Sequence, residues 1–246
     1  MSRKILSWVL AAAASSAAFA QSGGTTVSFP SGSETASGYL ATPSGGGKKP
    51  AIVVIQEWWG VNDWVKKKAD EFARQGYVAL APDLYRGKVA ADPDTAHQLM
   101  RGMPEDRAIR DLKAAVAFLK SRPDVDGSRI ASIGWCMGGG YSLSLALAEP
   151  TLTGAVIYYG RLLTDGGTIA SLKVPLLGNF GGKDQGIPPA SVQEFETKAK
   201  AAGKSIDFKL YPEAGHGFAS ISGYRADDAK DADARTDAFL KRVLKK

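Results

Sequence analysis

The sequence predicts an α/β fold, with a mostly parallel central sheet and helices on both faces. Three observations predict it. Unbroken apolar runs, such as Ala51-Ile52-Val53-Val54-Ile55 and Tyr77-Val78-Ala79-Leu80, have the character of strands buried on both faces. Other segments place apolar residues at helical spacing, as Ile109, Leu112, Val116 and Leu119 do. The two kinds of segment alternate along most of the chain, which is the pattern of a parallel sheet wrapped by helices.

Taken in order, residues 21–49 are rich in Ser, Gly and Thr. Short strands are expected at Val27-Ser28-Phe29 and Tyr39-Leu40-Ala41, with a flexible link from Ser44 to Lys49. The run from Ala51 to Ile55 is the first buried strand. Asn62 is placed to cap a helix to about Arg74, with Val65, Ala69 and Phe72 on one face and Gly76 beyond its end. Tyr77 to Leu80 forms the next strand. Arg86 to Pro104 is irregular, and a flap or short helices are expected there. The helix through Ile109 and Leu119 closes at Pro123. A strand from Arg129 to Ile133 leads to a helix from Gly138 to Ala148. Further strands are expected near Ala155–Tyr158, Val174–Gly178 and Ile206–Tyr211. A helix from Pro189 to Ala201 separates the last two, and another ends the chain. No internal repeat is visible, so residues 21–246 read as one domain. Ligands of such sheets bind beyond the carboxyl ends of the strands.

Residues 1–20 read as a signal peptide. Arg3 and Lys4 precede an apolar run from Ile5 through Ala14, and Ala18-Phe19-Ala20 has the form of a cleavage site. The alternative is an uncleaved membrane anchor, but the apolar run falls short of a span of about twenty residues. An exported protein, periplasmic or secreted, is expected, with no membrane association after cleavage. The whole chain carries a formal charge of +6. Removing Arg3 and Lys4 leaves it near +4, with both signs interspersed. No basic block with interleaved aromatics appears, which argues against nucleic acid as a partner. A monomer acting on a small molecule is the expectation.

The chain has one cysteine. It cannot form an internal disulfide, and a free thiol in an oxidising compartment is a liability unless buried or used. The count alone leaves a core cysteine and a functional one equally open. The surroundings of Cys136 separate them. Gly134-Trp135-Cys136-Met137-Gly138 follows a predicted strand, opens a predicted helix and fits G-x-S-x-G with Cys for Ser. The glycines are needed because residues two before and two after a nucleophile on so tight a turn crowd together. The turn also sets the thiol at a helix N-terminus, where the dipole favours a thiolate. A phosphate loop is a weak alternative, since the spacing is neither G-x-G-x-x-G nor Walker A.

Such an elbow predicts its partners in the order nucleophile, acid, histidine. His216 is the one histidine after Cys136, on a loop beyond the strand ending at Tyr211. His97 precedes the elbow and suits an ordinary surface histidine. Asp184 lies just past the strand reaching Phe180 and is the preferred acid. Asp165 and Asp207 are its competitors. The acid would hold the His216 tautomer and stabilise the imidazolium.

Six blocks in this order resemble dienelactone hydrolase and its relatives, from about Thr26 to the C-terminus. They are Gln56-Glu57-Trp58-Trp59-Gly60, Pro82-Asp83-Leu84-Tyr85, Gly134-Trp135-Cys136-Met137-Gly138-Gly139, Tyr158-Tyr159-Gly160, Gly182-Lys183-Asp184 and Gly215-His216-Gly217-Phe218. The resemblance implies an α/β-hydrolase fold, a Cys136–His216–Asp184 triad and neither metal nor organic cofactor. It also implies that Glu57 contacts the thiol and helps activate it. From the residues alone, an acid ending a buried strand among Trp58 and Trp59 is unusual, and a capping or ion-paired carboxylate is the alternative reading. The backbone N–H groups of Met137 and Trp58 fall where an oxyanion hole is expected. Arg86, Tyr85 and Tyr159 are the expected substrate contacts. The chain departs from the family in one place. Relatives acting on dienelactone bind its carboxylate with two arginines, and the second lies just after the Gly-His-x-Phe block. Here that stretch is Ala219-Ser220-Ile221-Ser222, and the nearest arginine is Arg225.

The reading that follows is a hydrolase of lactones or activated esters working through a cysteinyl thioester. A binding protein that kept the fold without the chemistry is the alternative. A thiol redox role lacks a second cysteine. A structural zinc would need about four ligands that the sequence does not assemble.

Overall fold

The computed structural model describes residues 23–220 and 223–244. The leader expected at residues 1–20 lies outside the described residues. Eight strands form one sheet: β1 (Thr25–Ser31), β2 (Glu34–Ala41), β3 (Lys49–Ile55), β4 (Val78–Pro82), β5 (Val125–Trp135), β6 (Gly154–Tyr158), β7 (Leu176–Gly181) and β8 (Ile206–Tyr211). Their order across the sheet is β1-β2-β4-β3-β5-β6-β7-β8. β1 and β2 form an antiparallel hairpin that joins β4 antiparallel, and all other pairs are parallel. This is the predicted fold class.

Seven helices cover the sheet among the described residues: α1 (Asp63–Arg74), α2 (Pro93–Arg101), α3 (Glu105–Ser121), α4 (Met137–Ala148), α5 (Gly166–Ser171), α6 (Pro189–Ala201) and α7 (Ala226–Leu244). β3 shows why both faces need covering. Ala51, Val53 and Ile55 enter the core under α3, α4 and α6, while Ile52 and Val54 enter the core under α1 and α7. All five are fully buried. Alternating side chains of one strand thus feed two cores, which is why the run is apolar without a break.

Local chemistry sets several boundaries. The Asn62 side chain accepts from the Val65 N–H at 3.1 Å and starts α1. The predicted irregular stretch contains α2, begun by Asp92 accepting from the Thr95 N–H and by Pro93. β7 begins at Leu176 rather than near Val174, because Pro175 has no N–H to give a ladder. α5 was not expected. Its cap is Asp165, one of the competing acids, which accepts from the Thr168 N–H at 2.7 Å.

The chain leaves β3 in one direction to β4 and returns to the other side of β3 as β5. A reversal of this kind opens a crevice at the carboxyl ends of the two strands. Glu57 follows β3 and Cys136 follows β5, so both stand at that crevice.

An ion-pair network ties the β1–β2 hairpin to the helices. Asp111 on α3 is 1% exposed and accepts from Ser31 Oγ at 2.6 Å. Arg86 pairs with Asp111 at 2.9 Å and with Glu34 at 2.8 Å, and donates to the Thr35 carbonyl. Removing the cation strands a buried carboxylate. We expect Arg86→Met to lower stability by about 3 kcal/mol, measured by urea unfolding, and Asp111→Asn added to it to recover part of the loss. An unchanged midpoint in Arg86→Met would show the network to be ornamental.

Candidate active site

Cys136 sits between β5 and α4 with φ 54° and ψ −117°, outside the conformations a non-glycine residue prefers. Its neighbours explain how the chain tolerates this. A Cβ on Gly134 would lie 2.0 Å from the Gly138 carbonyl oxygen, and one on Gly138 would lie 2.3 Å from the Ile55 carbonyl oxygen. Only glycine fits at either position. The Cys136 N–H is held by the Tyr158 carbonyl at 3.0 Å, so β6 braces the turn. The result lifts the thiol off the sheet at the start of α4.

The other two residues arrive on loops beyond β7 and β8. These loops are bound together: the Gly182 N–H donates to the Tyr211 carbonyl at 2.7 Å and the Lys183 N–H to the Ala214 carbonyl at 2.8 Å. His216 Nε2 lies 3.0 Å from Cys136 Sγ, and His216 Nδ1 lies 2.8 Å from Asp184 Oδ2. The other carboxylate oxygen of Asp184 accepts from the Gly186 and Ile187 N–H groups at 2.8 and 2.9 Å. The structure therefore brings together the three residues that the sequence singled out. It leaves the competing acids elsewhere: Asp207 pairs with Arg235 at 2.6 Å.

The electrostatics follow from this geometry. Burial opposes charge on His216, but its hydrogen bonds to Asp184 and Cys136 outweigh that and raise its pKa from 6.5 to about 10. Burial also opposes charge on Asp184, yet the His216 and backbone hydrogen bonds prevail and hold it below the usual carboxylate range. Glu57 has no such company. It is 6% exposed, and burial raises it to about 7 against the lesser pull of the Ser220 hydroxyl and His216.

The Met137 N–H opens α4 and has no carbonyl four residues back within that helix. The turn after Glu57 is closed by the Gly60 N–H on the Glu57 carbonyl, and the Trp58 N–H takes no part in it. The Trp58 ring meets His97 of α2 edge-on at 4.8 Å between centroids. The histidine assigned to an ordinary surface thus braces a residue of the candidate oxyanion hole.

A cavity of about 270 Å³ opens at Cys136. Met137, Gly140, Tyr141 and Ser144 of α4 form one wall, Met100 and Glu105 another, and Arg161 and Leu163 a third. The expected substrate contacts lie outside this lining. Arg86 is held by Glu34 and Asp111, which corrects its expected place at the substrate. Tyr85 is buried and donates its hydroxyl to Met137 Sδ at 3.3 Å. Tyr159 is fully buried with its ring 5.1 Å from that of His216, so it backs the imidazole. Arg161, Tyr141, Met100 and Glu105 were missed. Arg161 directly follows the Tyr158-Tyr159-Gly160 block, the nearest signal the sequence offered. Among the described residues, no group of three or more His, Cys, Asp or Glu side chains is arranged to hold a metal ion.

Residues 36–244 match the model of the dienelactone hydrolase family. The chain belongs to that family. It is 36% identical over 219 residues to a candidate carboxymethylenebutenolidase of Methylorubrum extorquens, covering 82% of this chain and 75% of the relative. Its fold matches the crystal structure of a candidate dienelactone hydrolase from Klebsiella pneumoniae. That match has a TM-score of 0.81 at 29% identity and covers 88% of this chain and 97% of the other. A dienelactone hydrolase-like promiscuous phosphotriesterase from metagenomic libraries, at 24% identity and TM-score 0.82, shares the fold, with 89% of this chain and 98% of that one covered. The fold is accordingly that of the α/β-hydrolases, and the protein is a dienelactone hydrolase-like enzyme.

The raised pKa values of this family member have a signed consequence. His216 binds its proton more tightly when folded, so its contribution to stability is full below pH 6.5 and is lost as pH rises through about 10. Glu57 acts the same way between pH 4.5 and about 7. With only two histidines in the chain, imidazole nitrogen resonances can follow His216 directly. It should titrate near 10 in the wild type and well below that in Asp184→Asn. Titration near 6.5 in both proteins would show that the triad hydrogen bonds do not form.

Proposed function

We propose that this enzyme hydrolyses a lactone or activated carboxylic ester through a thioester on Cys136. The observation that carries the reading is the unbroken relay from Asp184 Oδ2 through His216 to Cys136 Sγ, with hydrogen bonds of 2.8 and 3.0 Å, ending at an open cavity.

In the proposed cycle, Cys136 Sγ attacks the carbonyl carbon and its proton resides on His216 Nε2. The carbonyl oxygen becomes an oxyanion and takes hydrogen bonds from the Met137 and Trp58 N–H groups. Such preorganised donors are worth several kcal/mol where charge develops. As the C–O bond breaks, the proton on His216 passes to the leaving oxygen and the thioester forms. Water then attacks the thioester, His216 takes a proton from it, and the acid departs as the C–S bond breaks. Asp184 keeps the ring oriented throughout.

Glu57 adds a group that exchanges a proton near neutrality beside this pair. Burial keeps it largely protonated below pH 7. Above that it becomes an anion that favours a protonated His216 and disfavours a second negative charge on the sulfur. Its charge thereby acts on both members of the Cys136–His216 pair, in opposite senses for where their shared proton rests. The leader expected at residues 1–20 would place this chemistry outside the cytoplasm.

Cys136→Ala should fold normally, because the turn depends on the glycines, and should lose at least about a thousandfold in turnover of 4-nitrophenyl acetate. Near-normal hydrolysis by that variant would refute the proposed mechanism. Glu57→Gln should lower kcat more than it changes KM, and should erase a pH–rate inflection near 7. An unaltered profile would remove Glu57 from the reaction.

A further inference from the structure

The geometry points to Arg161 as the residue that selects substrate, by binding a carboxylate carried on the part of the substrate lying over α4. This rests on the hydrolase reading above and goes further, since it assigns the charge of the substrate and where that charge sits. Arg161 lines the same cavity as Cys136. It is exposed, and among the described residues its guanidinium has no hydrogen-bond or ion-pair partner, unlike Arg86, which is bound to Glu34 and Asp111.

Its backbone is also fixed. A Cβ on Gly160 would lie 2.3 Å from the Gly139 carbonyl carbon and from the Gly140 nitrogen, so the chain before Arg161 runs directly against the start of α4. A Cβ on Gly140 would in turn lie 3.5 Å from the Arg161 nitrogen and oxygen. The backbone that carries the cation is therefore anchored against the start of α4 and not part of a loose loop. The neighbouring wall contains the N-terminus of α4, whose dipole favours anions. The opposing charge in the lining, Glu105, is the first residue of α3, where a helix N-terminus accounts for it. Arg161 has no such structural reason to be there.

The remaining lining suits a short carbon chain: Met100, Met137, Tyr141 and Leu163 are apolar or aromatic. A guanidinium in the lining of an otherwise apolar cavity fits a carboxylate separated from the scissile carbonyl by a few carbons. This places the anion against the wall formed by α4 and the segment after β6. Arg86, bound to Glu34 and Asp111, and the segment after His216, which carries Ser220 rather than an arginine, lie outside this lining.

The test compares the 4-nitrophenyl monoester of glutarate with its terminal amide, which has the same shape and no charge. The amide serves as the reference for each variant. In the wild type, kcat/KM for the acid should exceed that for the amide by about tenfold, the worth of one charge-assisted hydrogen bond of about 1.4 kcal/mol, and chiefly through KM. The ratio should fall to near one in Arg161→Gln, remain intermediate in Arg161→Lys, and shrink as salt approaches 1 M, where screening acts within about 3 Å. A ratio near one in the wild type, or a preference surviving in Arg161→Gln, would overturn the assignment. Calorimetric binding of monomethyl glutarate and its amide to Cys136→Ala separates this inference from the hydrolase reading. An acid preference there without turnover in the wild type would sink the hydrolase reading and keep Arg161. Turnover without any acid preference would do the reverse.

Discussion

The architecture of the site depends on one steric constraint, the left-handed backbone of Cys136 at the end of β5. That conformation costs on the order of 1–3 kcal/mol, and the chain sustains it only because two neighbouring positions have no side chain. The Gly138 backbone packs against the Ile55 and Gln56 carbonyls at the end of β3, and Gly134 packs against Gly138. The central strand that delivers Glu57 is thus in direct contact with the turn that delivers the thiol. Glycine contacts repeat the device around the site. Gly181 lies against Ala214 and Gly215, so the loops carrying Asp184 and His216 meet, and Gly160 lies against Gly139. Backbone proximity of this kind sets side-chain positions more rigidly than contacts between flexible side chains would.

Within that frame, burial and pairing push the titratable groups apart. Glu57 and Asp184 are buried while the His216 side chain keeps an exposed side, and desolvation works against charge on each. His216 and Asp184 overcome it because they bind each other and because backbone N–H groups support the carboxylate. Glu57 faces a neutral hydroxyl at Ser220 and does not overcome it. The same enclosure therefore yields a charged pair and a near-neutral acid a few residues apart in space. Groups separated in this way are suited to divide proton donation from proton acceptance.

Much of this was legible in the sequence, for reasons that are local. The elbow could be read because its glycines and cysteine answer to sterics within five residues. His216 and Asp184 could be read because chain order after an elbow follows the order of the strands. The parallel sheet could be read because strands feeding two cores must be apolar on both faces. What escaped depends on distant partners. Arg86 looked like a substrate ligand, and nothing near it in the chain shows that Asp111, 25 residues on, is buried and takes it up. Tyr159 sits in a recognisable block, but its burial behind His216 arises from Phe218 and from the turn at its own φ of 37°. Arg161 went unnoticed because its place in the cavity lining comes from a close approach of two glycines that only the fold brings together. The stretch holding α2 reads as either a flap or short helices because Ala96 is the one buried residue of that helix, which gives hardly any apolar stripe to read.

The central claim is that the substrate's acyl group rests on the sulfur of Cys136 in the course of turnover. Acid-quenched mixing with 4-nitrophenyl acetate, followed by intact-mass and peptide mapping, tests it most directly. One acetyl group per chain is expected, located on Cys136, formed within the first turnover and released by hydroxylamine. Burst release of nitrophenol with no acetyl on Cys136, or an acetyl group on another residue that turns over at the steady-state rate, would contradict it.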